Sequence, residues 1–267
     1  MIQQHMKKRA LLAIVAQLTC IISFAQEVVY TKENNFGFGK GYFEEDALEF
    51  VIPAISIPPS EPTLQDSLFY IEGLRIRQED SLRFAIAAQD AVWSIEVLSS
   101  FSEAVGIPLT AEYTPELWAL VSMAAQDTDN LIVAIKNRHF RQRPYIRWNE
   151  EDDGVADRKR LAETSSTPSG HSGLAATIVC LLLELYPVRA AEIIKRGDEF
   201  IDSRWILGFH YKSDCDLGRQ IGCYMVNLLH SNPDFTHQLY RARREAFMHC
   251  RVRRVKYSIP ANELNIN

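Results

Sequence analysis

The sequence predicts an all-α fold carrying an extended N-terminal arm, and three observations predict it. From Leu64 onward to about Cys250, apolar residues recur at helical intervals. Over the same span strand-like alternation is scarce. Before it, residues 26–62 hold the turn-rich run Asn34-Asn35-Phe36-Gly37-Phe38-Gly39-Lys40-Gly41 and then Pro53, Pro58, Pro59 and Pro62, which exclude a long helix. With 267 residues and 47% hydrophobic content the chain can bury one sizeable core. The expected organisation is a leader over 1–25, the arm over 26–62, a helical domain over 63–250 and an exposed tail over 251–267.

Each element has its own signal. Lys7-Lys8-Arg9, the apolar run 10–24 and the small-residue site Ser23-Phe24-Ala25 read as a signal peptide cleaved near Ala25, which places the mature chain in the periplasm or outside the cell. Gln17, Thr19 and Ser23 interrupt that run, and no other stretch is long and apolar enough to span a bilayer, so no membrane span is expected after signal removal. A rival reading takes Leu18-Thr19-Cys20 as a lipidation site. The glycine-rich piece of the arm lacks the preceding strand, the following helix and the Gly-Lys-Ser/Thr ending of a phosphate loop. Leu68, Ile71, Leu74 and Ile76 run into Leu82, Phe84, Ile86, Ala87, Val92, Ile95 and Leu98, either as two helices or as one broken near Gln78. Gly106-Ile107-Pro108 ends the pattern.

Thr114-Pro115-Glu116 then opens a strong helix, with Thr as the side-chain cap, Pro at the first position and an acid in the first turn. Leu117, Leu120, Val121, Ala124, Leu131, Ile132 and Ile135 form its apolar face, and its end delivers Lys136. The acidic stretch 149–160 reads as a solvated connection. After Pro168 the run 174–185 is apolar on nearly all faces, which predicts a central helix. Further helices are expected over 187–202, leading to Arg204, over 214–229, and from Asn232-Pro233-Asp234 to about Cys250. After signal removal the cysteines are Cys180, Cys215, Cys223 and Cys250, without the paired spacing of a zinc site. Cys180 reads as a buried apolar residue, Cys215 and Cys223 lie too far apart on one helix to pair, and a bridge to Cys250 stays open.

A net charge of −5 provides no basic footprint for nucleic acid, so an anion site must be a local cluster of cations and the partner a small molecule. Three stretches supply such a cluster. In Ser203-Arg204-Trp205-Ile206-Leu207-Gly208-Phe209-His210-Tyr211-Lys212-Ser213-Asp214, a helix starting at His210 would set Asp214 on the same face at i,i+4, where a carboxylate fixes the tautomer of the ring. In Lys136-Asn137-Arg138-His139-Phe140-Arg141-Gln142-Arg143-Pro144, lysine and arginine stand about two helical turns apart. Thr167-Pro168-Ser169-Gly170-His171 puts Ser169, Gly170 and a second histidine at a helix N-terminus, where orphan N–H groups and the dipole favour an anion. Taken singly, each is an ordinary surface feature; their order makes them a set.

In that order they match the tripartite signature Lys-x6-Arg-Pro, Pro-Ser-Gly-His and Ser-Arg-x5-His-x3-Asp. The chain thus resembles the superfamily of type 2 phosphatidic acid phosphatases and vanadium haloperoxidases, and over about Leu64 to Phe247 it is similar to the class A bacterial non-specific acid phosphatases. Thr167 and Ser172 depart from the usual pattern beside the site. The resemblance implies a helical bundle of the acid phosphatase/vanadium haloperoxidase type that hydrolyses phosphate monoesters. Lys136, Arg143, Ser169, Gly170 and Arg204 would hold the phosphoryl oxygens, His210 would attack phosphorus, Asp214 would orient it, and His171 would act as general acid and base. No metal or other cofactor is implied, because the cations carry the countercharge. Transfer of phosphate to alcohols and association into homo-oligomers are further implications. The competing classes are a vanadate-dependent haloperoxidase, which halide oxidation would reveal, and a non-catalytic phosphate binder, against which both histidines speak.

Overall fold

A computed structural model describes residues 40–44, 47–150 and 158–257; the expected leader over 1–25, residues 26–39 and 45–46 of the arm and the end of the tail lie outside the described residues. Among the described residues there are helices and no strands. The α-helices are α1 (Leu64–Glu79), α2 (Ser81–Gln89), α3 (Ser102–Val105), α4 (Pro115–Arg138), α5 (Pro144–Arg147), α6 (Arg158–Leu161), α7 (Gly170–Leu185), α8 (Ala190–Ile206), α9 (Lys212–Leu229) and α10 (Pro233–Tyr257). Short 3-10 turns occupy Glu49–Ala54, Ile95–Phe101 and Pro187–Arg189. The fold is the expected all-α one.

The helix α7 is the centre. Leu174, Ala175, Ile178, Leu181 and Leu182 are buried on its several sides, and it packs against α4, α8 and α9. Its tightest neighbour is α9, and glycines make that possible. A Cβ on Gly222 would stand 2.4 Å from the carbonyl oxygen of Gly173, and one on Gly218 2.3 Å from that of Ser169, so the two backbones touch directly.

Local boundaries differ from the sequence expectation where side chains from afar intervene. The first helical stretch breaks at Asp80, which caps α2 by accepting the N–H of Arg83 at 2.9 Å. The pattern through Val92 to Leu98 is not a continuation of that helix. Asp90 ends it because Arg196 and Ser203 both bind its buried carboxylate, and the chain then turns into the 3-10 segment. Thr114 does not cap α4 with its side chain; its hydroxyl donates instead to the carbonyl of Thr110. The orphan N–H groups of Glu116 and Leu117 are taken, each at 3.1 Å, by the carboxylate of Glu245 from α10. The last helix continues past Cys250 to Tyr257. The 149–160 connection is anchored rather than freely solvated at both described ends. Glu150 accepts from Arg77 at 3.0 Å and from Arg158 at 2.9 Å, and Arg158 is buried.

Candidate active site

The three signature stretches meet where α4 ends, α7 begins, and α8 hands over to α9. Lys136 stands in the last turn of α4 and donates from Nζ to the carbonyl of Ser165 at 2.6 Å. Seven residues on, past the end of α4, Arg143 has extended backbone and forms the N-cap of α5. Arg143 is buried and held by carbonyls on every side: Nε donates to Leu161 at 3.0 Å, Nη1 to Phe209 at 3.1 Å and Nη2 to Ser165 at 3.3 Å, with Thr164 Oγ1 at 2.9 Å. A planar guanidinium clamped this way presents a fixed fork. Arg204, in the last turn of α8, is buried with its guanidinium 5.2 Å from the centre of the Phe209 ring. Gly208, at φ +72°, reverses the chain immediately after α8, and Phe209, His210 and Tyr211 then run to the start of α9.

His210 is buried, and its ring is defined at both nitrogens. Nδ1 lies 2.6 Å from the carbonyl oxygen of Ser166, and Nε2 lies 3.4 Å from Nη1 of Arg143. A carbonyl only accepts, so Nδ1 carries the proton and Nε2 the lone pair. This corrects the expected arrangement. The helix begins at Lys212, two residues beyond His210, and the carboxylate of Asp214 stands 4.0 Å from Nδ1. Asp214 acts one step back: its carboxylate accepts from Ser166 Oγ at 2.8 Å, from the Tyr211 N–H at 2.9 Å and from Arg141 at 2.5 Å. It thereby fixes the residues on either side of the imidazole.

Ser169 caps α7, its hydroxyl oxygen accepting from the N–H of Ser172 at 3.3 Å. Its own N–H donates to the carbonyl of Asp214 at 3.0 Å and is therefore already engaged; Gly170 and His171 carry the first N–H groups of the helix, where an anion is favoured. His171 sits on the first turn of α7 with Nε2 3.2 Å from the carbonyl of Ala91 and its ring against Trp93, centroids 4.6 Å apart. His139 is exposed at the C-cap of α4.

Electrostatics brings the set together. Burial pushes the ring of His210 well below the usual histidine range, and the charges of Arg143, Lys136 and Arg204 push the same way. Burial and then Arg204 depress His171 likewise. Lys136 is lowered well below the usual lysine range, first by burial and then by Arg143. Burial and the surrounding cations together favour the neutral form of both histidines.

The sequence reading missed a supporting layer. Arg141 is buried, ion-paired with Asp214 and, at 2.9 Å, with Asp66, and lies over the Tyr211 ring at 4.1 Å. Asp66 closes a capping box with Thr63 at the start of α1 and also accepts from Ser213 N at 3.0 Å, so it ties α1 to the start of α9. The Thr-x-x-Asp cap was readable; the second use of that carboxylate was not. For Ser166, Ala91 and Trp93 the sequence offers no signal.

Residues 115–237 match the PAP2 superfamily. The chain is 34% identical over 184 residues to a non-specific acid phosphatase of Providencia stuartii, covering 68% of this chain and 73% of that protein. It is 32% identical to the non-specific acid phosphatase of Salmonella typhimurium strain LT2, over 67% of this chain and 72% of that one. An acid phosphatase of Zymomonas mobilis is 30% identical over 76% of each chain.

Proposed function

The chain belongs to the PAP2 superfamily and is a relative of the bacterial non-specific acid phosphatases, and on that premise we propose that it hydrolyses phosphate monoesters through a phosphohistidine formed on His210. It is a phosphatase. The observation that carries the proposed mechanism is the ring of His210, with Nδ1 bound to a carbonyl and Nε2 turned toward Arg143.

The steps follow from the groups present. The non-bridging oxygens are held by Lys136, Arg143, Arg204 and the N–H groups of Gly170 and His171, which stabilise the charge that spreads over them in the transition state. The lone pair on Nε2 of His210 attacks phosphorus in line, and the bond to the ester oxygen breaks. That oxygen leaves with a proton from His171, whose Nε2 is engaged with the carbonyl of Ala91, so the proton travels from Nδ1. His171, now neutral, accepts a proton from the water that attacks the phosphohistidine, and inorganic phosphate is released with His210 restored. An alcohol in place of that water gives phosphotransfer. The reading needs no metal, since the cations and the helix terminus provide the countercharge. Export through the leader rests on the sequence of residues 1–25 alone, and among the described residues no helix is long and apolar enough to cross a membrane.

The test is hydrolysis of p-nitrophenyl phosphate in EDTA, with and without vanadate, by the wild type and by His210→Ala. Metal-independent turnover that vanadate blocks and the substitution abolishes is expected. Full activity in His210→Ala would falsify the assignment of the nucleophile, and halide oxidation with vanadate and peroxide in place of hydrolysis would replace the reaction.

A further inference from the structure

Cys180 on α7 and Cys223 on α9 lie with their sulfurs 3.5 Å apart, both half-buried and reduced. Their meeting follows from the glycine contact between the two helices. Gly222 abuts Gly173 and Ala176, a Cβ there standing 2.8 Å from that of Ala176; Cys223 is the next residue, and Cys180 is one helical turn beyond Ala176. Helices this close bring side chains one turn on within bonding range.

We propose that Cys180 and Cys223 are a disulfide site, closed by thiol–disulfide exchange with a low-molecular-weight or protein disulfide. The sulfurs need to approach by about 1.5 Å to reach the bond length of about 2.0 Å, a movement within side-chain rotation. Cys223 is the attacking group. The S–H of Cys180 donates to its sulfur and the charge of Arg219 lies near it, and against the opposing effect of burial both lower its thiol. Its thiolate attacks one sulfur of the oxidant and expels the first thiolate. Cys180 then loses its proton and attacks the sulfur of Cys223, expelling the second. The pair gives up two electrons, and the oxidant is reduced to two thiols.

The bridge closes a loop containing α8 and the whole segment that carries Arg204, His210 and Asp214, and it joins the helix of His171 to that of Asp214. Closing such a loop restricts the unfolded chain and fastens the two halves of the site together.

The experiment treats the full, folded chain with oxidised glutathione and maps the products by mass spectrometry after thiol blocking. A loss of about 2 Da, a peptide pair joining Cys180 to Cys223, and a melting temperature higher by about 5–10 °C that dithiothreitol reverses are expected. Reduced wild type is the reference, so the comparison does not depend on a variant folding. Cys223→Ser should keep p-nitrophenyl phosphate hydrolysis within about twofold of the reduced wild type and lose the response to oxidant. A chain that keeps both thiols, that stops at a glutathione adduct on either cysteine, or that pairs one of them elsewhere overturns the proposal.

Discussion

At the scale of single residues, the proposed mechanism separates groups that would touch the phosphoryl from groups that hold them. His210→Ala should lower turnover by at least about 10⁴-fold, measured with p-nitrophenyl phosphate, because the proposed nucleophile is removed. Asp214→Asn should behave differently. The ring keeps its bond to Ser166, while Arg141 loses one of its two buried carboxylates and keeps Asp66, at a cost on the order of 1.5–3 kcal/mol for a lost charged hydrogen bond. A fall in denaturation midpoint larger in effect than the fall in kcat at low temperature is the expected result; the reverse would restore a direct role at the ring. The pH dependence follows from the sign of the shifts. Burial and Arg204 favour the neutral ring of His171 in the free protein, so it accepts a proton only well below its usual range. A bound dianion offsets the cations and raises it. The alkaline limb of kcat, which reports the complex, should therefore lie at higher pH than the His171 titration of the free protein followed by NMR. The residue types and their spacing were legible here. The partner of His210 was not, because a backbone carbonyl leaves no mark in a sequence.

At the scale of elements, helix periodicity located most helices, while their ends were set by contacts made elsewhere. The start of α4 is the clearest case. Its sequence reads as a Thr cap, yet the N–H groups are bound by Glu245 from more than a hundred residues away. Glu245→Ala should cost about 1–2 kcal/mol, the range for losing a cap, detected as a lower urea midpoint with unchanged slope. The contact between α7 and α9 is more demanding. Gly222→Ala places a methyl group 2.4 Å from a backbone oxygen, so the helices must part. A loss of about 3 kcal/mol or more is expected, together with weakened catalysis, since His171 and Asp214 ride on those helices. Wild-type stability in that variant would mean that α7 and α9 slide past each other freely.

At the scale of the whole molecule, ionisable groups are buried in two opposing sets. His171 and His210 have lowered values in the folded chain, so the stability they contribute is present above the ordinary histidine range and lost as pH falls below it. Asp127 and Asp129 on α4 are raised by burial to about 6 and about 7, although Asp127 accepts from the N–H groups of Tyr42 and Phe43 in the arm. Their contribution is complete below about pH 4 and lost as pH rises through those values. Asp129→Asn should then gain on the wild type from pH 4 to 8, by up to about 4 kcal/mol, in melts at several pH values. A constant difference would place Asp129 in contact with water. The sequence by itself determined the helical class, the family and the charged groups of the proposed site, because helical period and a fixed order of lysine, arginine, histidine and aspartate are one-dimensional properties. Only the tertiary structure decided what holds those groups: Ser166 at the ring of His210, Arg141 and Asp66 behind Asp214, Glu245 at α4 and the meeting of Cys180 with Cys223. Each is a contact between distant parts of the chain, settled by which surfaces pack closely enough to exclude water.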